Sequence, residues 1–211
     1  HDDLNAVVRR VLLGENKEGG LTREEDALAA YEAGAIYGGL IFVASSPRVV
    51  TEAQARQVMT AAPLSYVGVF RNADIADVVA KAEALSLHAV QLHGNEDQAY
   101  IDALRSALAP QVQIWKAQSV GDRLPERNLN HVDKYVLDNG QGGTGQRFDW
   151  SLLHGEVLDN VLLAGGLSPD NCVEAAKAGC AGLDFNSGVE SQPGIKDASK
   201  LASVFKTLRA Y

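Results

Sequence analysis

Short apolar runs alternate with amphipathic stretches along almost the whole chain. Stretches of about a dozen residues with apolar positions at helical spacing separate most of these runs, which is typical of repeated βα units around a parallel sheet. Seven runs have the composition of buried strands, at residues 36–42, 66–70, 89–92, 113–116, 134–137, 161–163 and 182–185, and a shorter eighth precedes them at 16–18. The expected helices span residues 22–33, 51–61, 74–84, 96–108, 169–178 and 196–209.

Eight βα units follow one another without a change in composition that would mark a second domain. They predict an α/β fold, a single (β/α)8 TIM barrel over residues 16–211. An open flavodoxin-like sheet would need fewer strands. The fifth crossover, residues 118–131, contains Gly121 and Pro125 and shows little helical periodicity. We therefore expect that crossover to be mostly irregular.

Two helices near the start of the chain can be bounded from the sequence. In the first barrel helix, Thr22 is the expected N-cap with Glu25 as its capping-box partner, and Gly34 ends the helix. Ahead of the barrel, residues 1–15 have apolar positions at helical spacing. This segment is either an ordinary N-terminal helix that closes the barrel bottom or, as we predict, a helical linker from an upstream domain.

Composition and charge narrow the classes of function. With 46% apolar and 22% charged residues and no apolar run near ~18 residues, the chain has the character of a soluble globular protein without a membrane span. The two cysteines, Cys172 and Cys180, suit neither a zinc site nor a disulfide framework, so we expect the cytoplasm and no metal. A net charge of −8 argues against binding to nucleic acid or anionic lipid. Any bound anion must therefore be held by local geometry.

The strand ends are the place to look for chemistry, because active residues of β/α barrels lie at the C-terminal ends of the strands. After the second strand, Pro47 and Arg48 put a guanidinium over the barrel mouth, where it suits a planar carboxylate. Gln91 and His93 are two residues apart and share a face of the fourth strand. Gln91 and His93 could both contact a ligand in the barrel, although His93 could instead be a hydrogen-bonded structural group. Arg48 could likewise be an ordinary surface residue.

The sixth strand ends at Asp138, ahead of a glycine-rich loop at residues 139–145 that could fold over a ligand. Burial under such a loop would raise the pKa of this carboxyl and keep a usable proton near neutral pH. An aspartate after an apolar strand can also be a simple helix or turn cap. Asp138 is therefore the candidate acid or base.

Glycine-containing loops follow the last two predicted strands. In β/α barrels the loops after strands seven and eight commonly bind phosphate through backbone N–H groups. A single Gly-Gly pair would be weak evidence, but two such loops on adjacent strands strengthen each other. The candidate phosphate ligands are Gly165, Gly166, Ser187 and Gly188.

Taken together, these strand-end segments resemble the phosphoribosylanthranilate isomerase family in order and spacing. The resemblance extends over residues 16–211, and residues 1–15 are similar to the helical junction of the enterobacterial form, in which an indole-glycerol-phosphate synthase domain is fused ahead of the isomerase. It is carried by residues 39–48, 91–94, 137–138, 164–167, 184–190 and 193–197.

The resemblance implies the Amadori rearrangement of tryptophan biosynthesis, which converts a phosphorylated aminoaldose into an aminoketose phosphate without a cofactor. It implies that Asp138 is the general acid that opens the sugar ring and that Arg48 binds the anthranilate carboxylate. The phosphate would lie on the glycine loops already described. The further substrate-binding candidates are Gln91, His93 and Lys17.

One departure from the family pattern falls at the end of the first strand. The family motif Lys-apolar-Cys-Gly-Leu-Thr, whose cysteine removes the sugar C2 proton, reads KEGGLT at residues 17–22. Because strand side chains alternate, Gly19 should face the barrel mouth and Glu18 the helix layer, where an unpaired charge is costly. Loss of a general base typically costs about 10²- to 10⁴-fold in rate, so we predict an impaired isomerase.

Two alternatives stay open at this point. The chain could be a catalytically silent domain that binds a phosphate ligand or another protein. It could instead be a redesigned barrel in which Glu18 or Lys17 supplies a new functional group. Glu18 would reach the mouth only if the Gly19-Gly20 pair lets the strand end early or shift by one residue.

Overall fold

The computed structural model describes residues 4, 8, 13–140 and 147–210. Its centre is a closed barrel of eight parallel strands, each paired with the next in chain order and the last with the first. The predicted (β/α)8 TIM barrel is therefore confirmed. The strands are β1 Lys17–Glu18, β2 Tyr37–Ile41, β3 Ser65–Phe70, β4 Ala89–Leu92, β5 Gln113–Ser119, β6 Lys134–Asp138, β7 Val161–Ala164 and β8 Gly182–Phe185.

Helices cover the outside of the barrel between most pairs of strands. The fifth crossover has no helix between β5 and β6, as its composition predicts, and a 3-10 turn, Trp150–Leu153, lies in the described part of the sixth. Among the described residues, none of the helices is long and apolar enough to cross a membrane. The helices are α1 Glu24–Ala33, α2 Glu52–Ala61, α3 Ile75–Leu85, α4 Gln98–Ala107, α5 Cys172–Lys177 and α6 Ala198–Ala210.

The expected cap of the first helix is wrong. The residue before α1 is Arg23, which makes no side-chain capping bond, and the Thr22 hydroxyl donates instead to the carbonyl of Gly194. A long-range partner on the C-terminal hairpin has thus replaced the local capping bond. The expected end is confirmed, because Gly34 has a φ of 125° and its N–H bonds back to the helix carbonyls.

Two apolar layers result from the alternation of side chains along the strands. One fills the barrel interior and includes Tyr37 and Trp115, whose rings meet edge to face at 4.9 Å. The other lies between strands and helices, where Phe185 packs against Phe205 of α6 with 6.0 Å between ring centres. A strand residue therefore faces either the barrel or the helices according to its register.

A short hairpin follows β8 and was not predicted from the sequence. Its strands are β9 Glu190–Gln192 and β10 Ile195–Lys196, which pair antiparallel with an irregularity in register. Gly194 has a φ of 84° in the connecting turn, a conformation that glycine adopts without strain. The hairpin carries Glu190 and Lys196 to the rim of the barrel.

The predicted linker falls largely outside the described residues. Its last part is in place, since the Glu15 N–H donates to the Ala181 carbonyl and Leu13 packs against the outer core. Leu4 and Val8 are both exposed. Whether residues 1–15 join an upstream domain stays a prediction.

Candidate active site

Two cavities open side by side at the carboxyl ends of the strands. The smaller, about 80 Å³, is lined by the loops after β7 and β8 together with Gln91 and Asp184. The larger, about 680 Å³, is lined by the loops after β2 to β6 and includes Arg48. His93, Asp138 and Asn186 line both cavities. A ligand that spans the two would therefore pass directly over Asp138.

Asp138 is buried at the end of β6, beside the imidazole of His93. Its Oδ1 accepts a 2.7 Å hydrogen bond from the Gly140 N–H, and its Oδ2 lies 3.6 Å from His93 Nε2. Burial raises the pKa of Asp138, against the lowering effects of the Gly140 bond and the His93 charge. Burial also lowers the pKa of His93. Both groups are thus biased towards their neutral forms, and Asp138 suits proton donation. Of the predicted glycine-rich loop, residues 141–145 lie outside the described residues.

Arg48 reaches the larger cavity, as predicted, but its guanidinium is held by a carboxylate that the sequence did not reveal. Its Nε and Nη2 donate to the two oxygens of Glu190 at 2.9 and 2.6 Å, which leaves Nη1 unengaged by Glu190. Lys196 Nζ lies 3.2 Å from the same carboxylate. Burial would raise the pKa of Glu190, but Arg48 and Lys196 lower it overall. Glu190 therefore orients Arg48 as a charged, buried anchor.

The four predicted phosphate ligands lie together around the smaller cavity. Gly165 and Gly166 have φ values of 90° and 70°, a left-handed conformation that favours glycine. Gly188 packs so closely that a Cβ would overlap the carbonyl oxygen of Leu167 in the β7 loop. The structure thus brings both loops into contact, and their glycines are required by backbone geometry.

The barrel side of β1 carries an ion pair beneath the mouth. Lys17 pairs in register with Tyr37 of the inner core, and its Nζ lies 2.9 Å from Asp184 Oδ2. Gly19 lies on the same side, since a Cβ there would be 3.2 Å from Asp184 Oδ1 and 3.6 Å from Lys17 Nζ. The expected orientation of Gly19 towards the mouth is borne out.

Glu18 points the other way, into the layer between barrel and helices. It pairs with Gly38 and Phe185, two positions that face this layer. Its side chain is fully buried, and within the described part of the chain neither carboxylate oxygen has a hydrogen-bond partner. Burial raises the pKa of Glu18 well above its usual range, against the attraction of Lys196. The strand has not shifted to bring Glu18 to the mouth.

Two further polar side chains shape the wall of the site. Gln91 is buried at the smaller cavity, and its Oε1 has no hydrogen-bond partner among the described residues. Glu96, expected inside a helix, instead lies before α4 and accepts bonds from the N–H groups of Asn72 and Gly94 at 2.8 Å. Its carboxylate also pairs with Lys116 at 3.2 Å. Glu96 thereby ties together the loops after β3 and β4.

The described residues contain no cluster of three or more His, Cys, Asp or Glu side chains arranged to hold a metal ion.

A family model described as N-(5'phosphoribosyl)anthranilate (PRA) isomerase matches residues 16–207. The chain belongs to this family. The match includes every strand of the barrel and all of the strand-end residues described above.

Curated relatives extend the family assignment. The "Tryptophan biosynthesis protein TrpCF" of Salmonella typhi is 74% identical over 211 residues, which is all of this chain and 47% of the relative. The protein of the same name from Yersinia pestis is 68% identical over 209 residues, 99% of this chain and 44% of the relative. The chain thus spans about half the length of these curated relatives.

Solved structures of the PRA isomerase family share the fold. The phosphoribosyl anthranilate isomerase of Thermus thermophilus is 31% identical with a TM-score of 0.82, covering 93% of this chain and 98% of that one. A phosphoribosyl anthranilate isomerase in complex with reduced 1-(o-carboxyphenylamino)-1-deoxyribulose 5-phosphate has a TM-score of 0.75 at 29% identity, covering 94% and 100%.

Three residues of this PRA isomerase site escaped sequence reasoning. Glu190 and Glu96 act through partners on other elements, so no local pattern reveals them. Asp184 carried a signal that could have been used, because it is an acidic residue inside the apolar strand Gly182–Phe185. A charge in such a strand is costly unless it is paired or functional.

Proposed function

We propose that this chain is a phosphoribosylanthranilate isomerase domain of the cytoplasm that carries out the Amadori rearrangement of tryptophan biosynthesis, weakened at proton abstraction. The observation that carries the proposal is the position of Asp138 at the junction of two cavities. One cavity has the backbone groups for a phosphate, and the other has the guanidinium for a carboxylate. The substrate of the family carries both groups, one at each side of its sugar.

Each binding group then has a physical role. The phosphate lies on Gly165, Gly166, Ser187 and Gly188, while Arg48 Nη1 meets the anthranilate carboxylate. Asp138, whose pKa is raised by burial, donates a proton to the ring oxygen and opens the sugar to a Schiff base. The unpartnered Oε1 of Gln91 accepts from a sugar hydroxyl, which is favourable because a buried acceptor without a partner is costly. His93 lines both cavities, and Lys17 lies beneath them, paired with Asp184.

The weak step is removal of the C2 proton. Gly19 has no side chain at the place where the family has a cysteine base, so binding and ring opening are retained while proton transfer is slowed. The alternative of a catalytically silent phosphate-binding or interaction domain rests on this same vacancy. A redesigned site based on Glu18 has less support, because its carboxylate is turned towards the helices, and Lys17 is already paired with Asp184.

We further propose that the chain is the isomerase part of a longer protein that also carries indole-glycerol-phosphate synthase. Support comes from the curated relatives, which are about twice as long and are named TrpCF. Residues 1–15 would be the helical junction between the two parts. No nucleic acid or membrane partner is proposed.

The experiment that tests the function separates binding from turnover. Isothermal titration calorimetry of the chain with the reduced aminoketose phosphate should show saturable one-to-one binding, and single-turnover assays with phosphoribosylanthranilate should show slow conversion. Binding without any conversion would favour the silent domain. Absence of binding to the reduced compound would refute the isomerase and the phosphate-binding domain and leave only the interaction domain.

Gly188→Ala should abolish most of the phosphate-dependent affinity. The new Cβ overlaps the Leu167 carbonyl, so the β7 and β8 loops must separate and their N–H groups no longer converge. We expect the Kd for the reduced compound to rise at least tenfold, measured by calorimetry. Gly121→Ala is the matched control, because nothing lies within 4 Å of that Cβ. Equal affinity of both variants would contradict the assigned phosphate site.

Arg48→Lys should weaken binding only of ligands that carry the carboxylate. Lysine keeps the charge beside Glu190 but loses the planar fork, and a hydrogen bond to a charged group contributes about 1.5–3 kcal/mol. The Kd of the carboxylated reduced compound should therefore rise about 10- to 100-fold. The corresponding compound made with aniline lacks the carboxylate and should bind both proteins alike. A similar loss with both compounds would argue against this role for Arg48.

A further inference from the structure

Asp184 lies in β8, beneath the barrel mouth and next to Gly19. Its Oδ2 is held by the Lys17 ammonium at 2.9 Å, and both side chains are nearly buried. Its Oδ1 has no hydrogen-bond partner among the described residues, although the atom is buried. A buried carboxylate oxygen without a partner is costly, which indicates an atom kept for a ligand.

The position of Asp184 Oδ1 shows which part of the site this oxygen borders. A Cβ on Gly19 would lie 3.2 Å from Oδ1, so this oxygen borders the space that a side chain at position 19 would fill. Asp184 also lines the smaller cavity together with Asp138 and the phosphate loops. A sugar with its phosphate on those loops would lie with its carbon chain between the two carboxyl groups.

The two carboxyl groups have opposite environments. Burial raises the pKa of Asp138 and favours its protonated form. Asp184 has the buried ammonium of Lys17 in contact with its Oδ2. Asp138 therefore suits proton donation, while Asp184 presents to the same cavity an oxygen that has no partner among the described residues.

We propose that the Asp184 carboxylate accepts the C2 proton of the substrate in this chain, at the position where the family uses a cysteine. This step rests on the function proposed above. After Asp138 opens the ring, Asp184 Oδ1 takes the C2 proton from the protonated Schiff base. The C2–H electron pair forms a C1–C2 double bond while the C=N pair moves to nitrogen, giving an enolamine. The C2 hydroxyl then loses its proton and C1 gains one, so the ketone forms without any co-reactant.

Other nearby groups are less suitable acceptors. Glu18 is buried in the helix layer, on the same face of the sheet as its strand partner Phe185. The imidazole of His93 lies 3.6 Å from Asp138, so it is aligned with the acid and not with position 19. Lys17 is engaged with Asp184 itself and has a charge of the wrong sign for taking a proton.

The test is Asp184→Asn, which replaces the carboxylate with an uncharged amide of nearly the same shape. In single-turnover assays with phosphoribosylanthranilate we expect kcat to fall about 10²- to 10⁴-fold, as for loss of a general base. The Kd for the reduced aminoketose phosphate should change less than about threefold, since the ligand groups are intact. Deuterium at the substrate C2 should slow the unmodified chain, because breaking that bond limits its rate.

The same substitution in a Gly19→Cys protein separates loss of the base from structural damage. With Gly19→Cys, a thiolate supplies the base, so adding Asp184→Asn should then cost less than about tenfold. The pH–rate profile of the Gly19→Cys chain should show a limb near the ordinary cysteine pKa, about 8.5, that the unmodified chain lacks. If Asp184→Asn alone fails to fold because Lys17 is left unpaired, Asp184→Asn with Lys17→Met gives a neutral pair. Its kcat should show the same loss relative to Lys17→Met alone, and the Kd of each variant for the reduced compound reports any contribution of Lys17 to binding.

Three results would overturn the proposal: unchanged kcat in Asp184→Asn, an equal loss with and without the cysteine, or no turnover by an unmodified chain that binds the reduced compound. Failure of the unmodified chain to bind that compound is a different outcome, because it refutes the proposed function itself.

Discussion

Gly19→Cys should raise kcat by about 10²- to 10⁴-fold with little change in KM, because it supplies a base that acts only at proton transfer. The backbone of Gly19 does not need glycine, since its φ lies outside the left-handed region. The new Cβ would lie 3.2 Å from Asp184 Oδ1 and 3.5 Å from the Phe185 carbonyl. A shift of a few tenths of an ångström in the Asp184 side chain accommodates it. Steady-state kinetics with phosphoribosylanthranilate measure the effect.

Gly19→Ala and Gly19→Ser are the matched controls for this gain. Alanine fills the same space without a polar group, and serine places a hydroxyl that is not ionised near neutral pH. Neither should raise kcat. A rise with alanine would indicate that rigidity of the strand end had limited the rate. A large rise in KM with unchanged kcat in Gly19→Cys would contradict the assignment of position 19 to proton transfer.

The size of the kcat gain in Gly19→Cys also tests whether Asp184 acts as the base. If the carboxylate already accepts the proton, the gain from cysteine should lie towards the lower end of the range, since one base replaces another. If Asp184 is silent, the gain should approach the upper end. The size of the gain and the loss in Asp184→Asn therefore report on the same step from opposite directions.

The barrel and much of its mouth could be predicted because they follow from local periodicity. Alternation along a strand determines which side chains face the mouth, and this gave the correct orientation of Gly19, Glu18 and Gln91. Glycines at 165 and 166 likewise report a local backbone conformation. Such features depend on neighbours in the chain.

The features that escaped prediction depend on partners far away in the chain. Thr22 was expected to cap its own helix but donates to Gly194, and Arg48 is held by Glu190, 142 positions later. Glu96 had a favourable place in a predicted helix, yet two N–H donors from neighbouring loops and a lysine hold it outside α4. Buried polar groups bond to whichever partner the fold brings near. A single sequence does not give the distances between residues that are far apart in the chain.

Glu18→Val should increase the free energy of unfolding by about 1–3 kcal/mol or more near neutral pH, the cost of a buried polar group without partners. Valine suits the apolar neighbours in the layer between strands and helices. Lys196, the positive charge that most strongly attracts the Glu18 carboxylate, retains its ion pair with Glu190 at 3.2 Å. Urea unfolding followed by circular dichroism measures the difference.

The pH dependence of that gain identifies its cause. Burial raises the folded-state pKa of Glu18, with Asp184 and Glu190 acting in the same direction and Lys196 and Lys17 against it. The folded chain therefore binds the proton more tightly than the unfolded chain, and its stability falls as pH rises from the unfolded pKa, near 4.5, through the folded one. Glu18→Val should gain more at pH 8 than at pH 5, and Glu18→Gln should remove the pH dependence while leaving its amide unpartnered and its gain smaller. Equal gains for valine at both pH values would show that the charge is not the destabilising element.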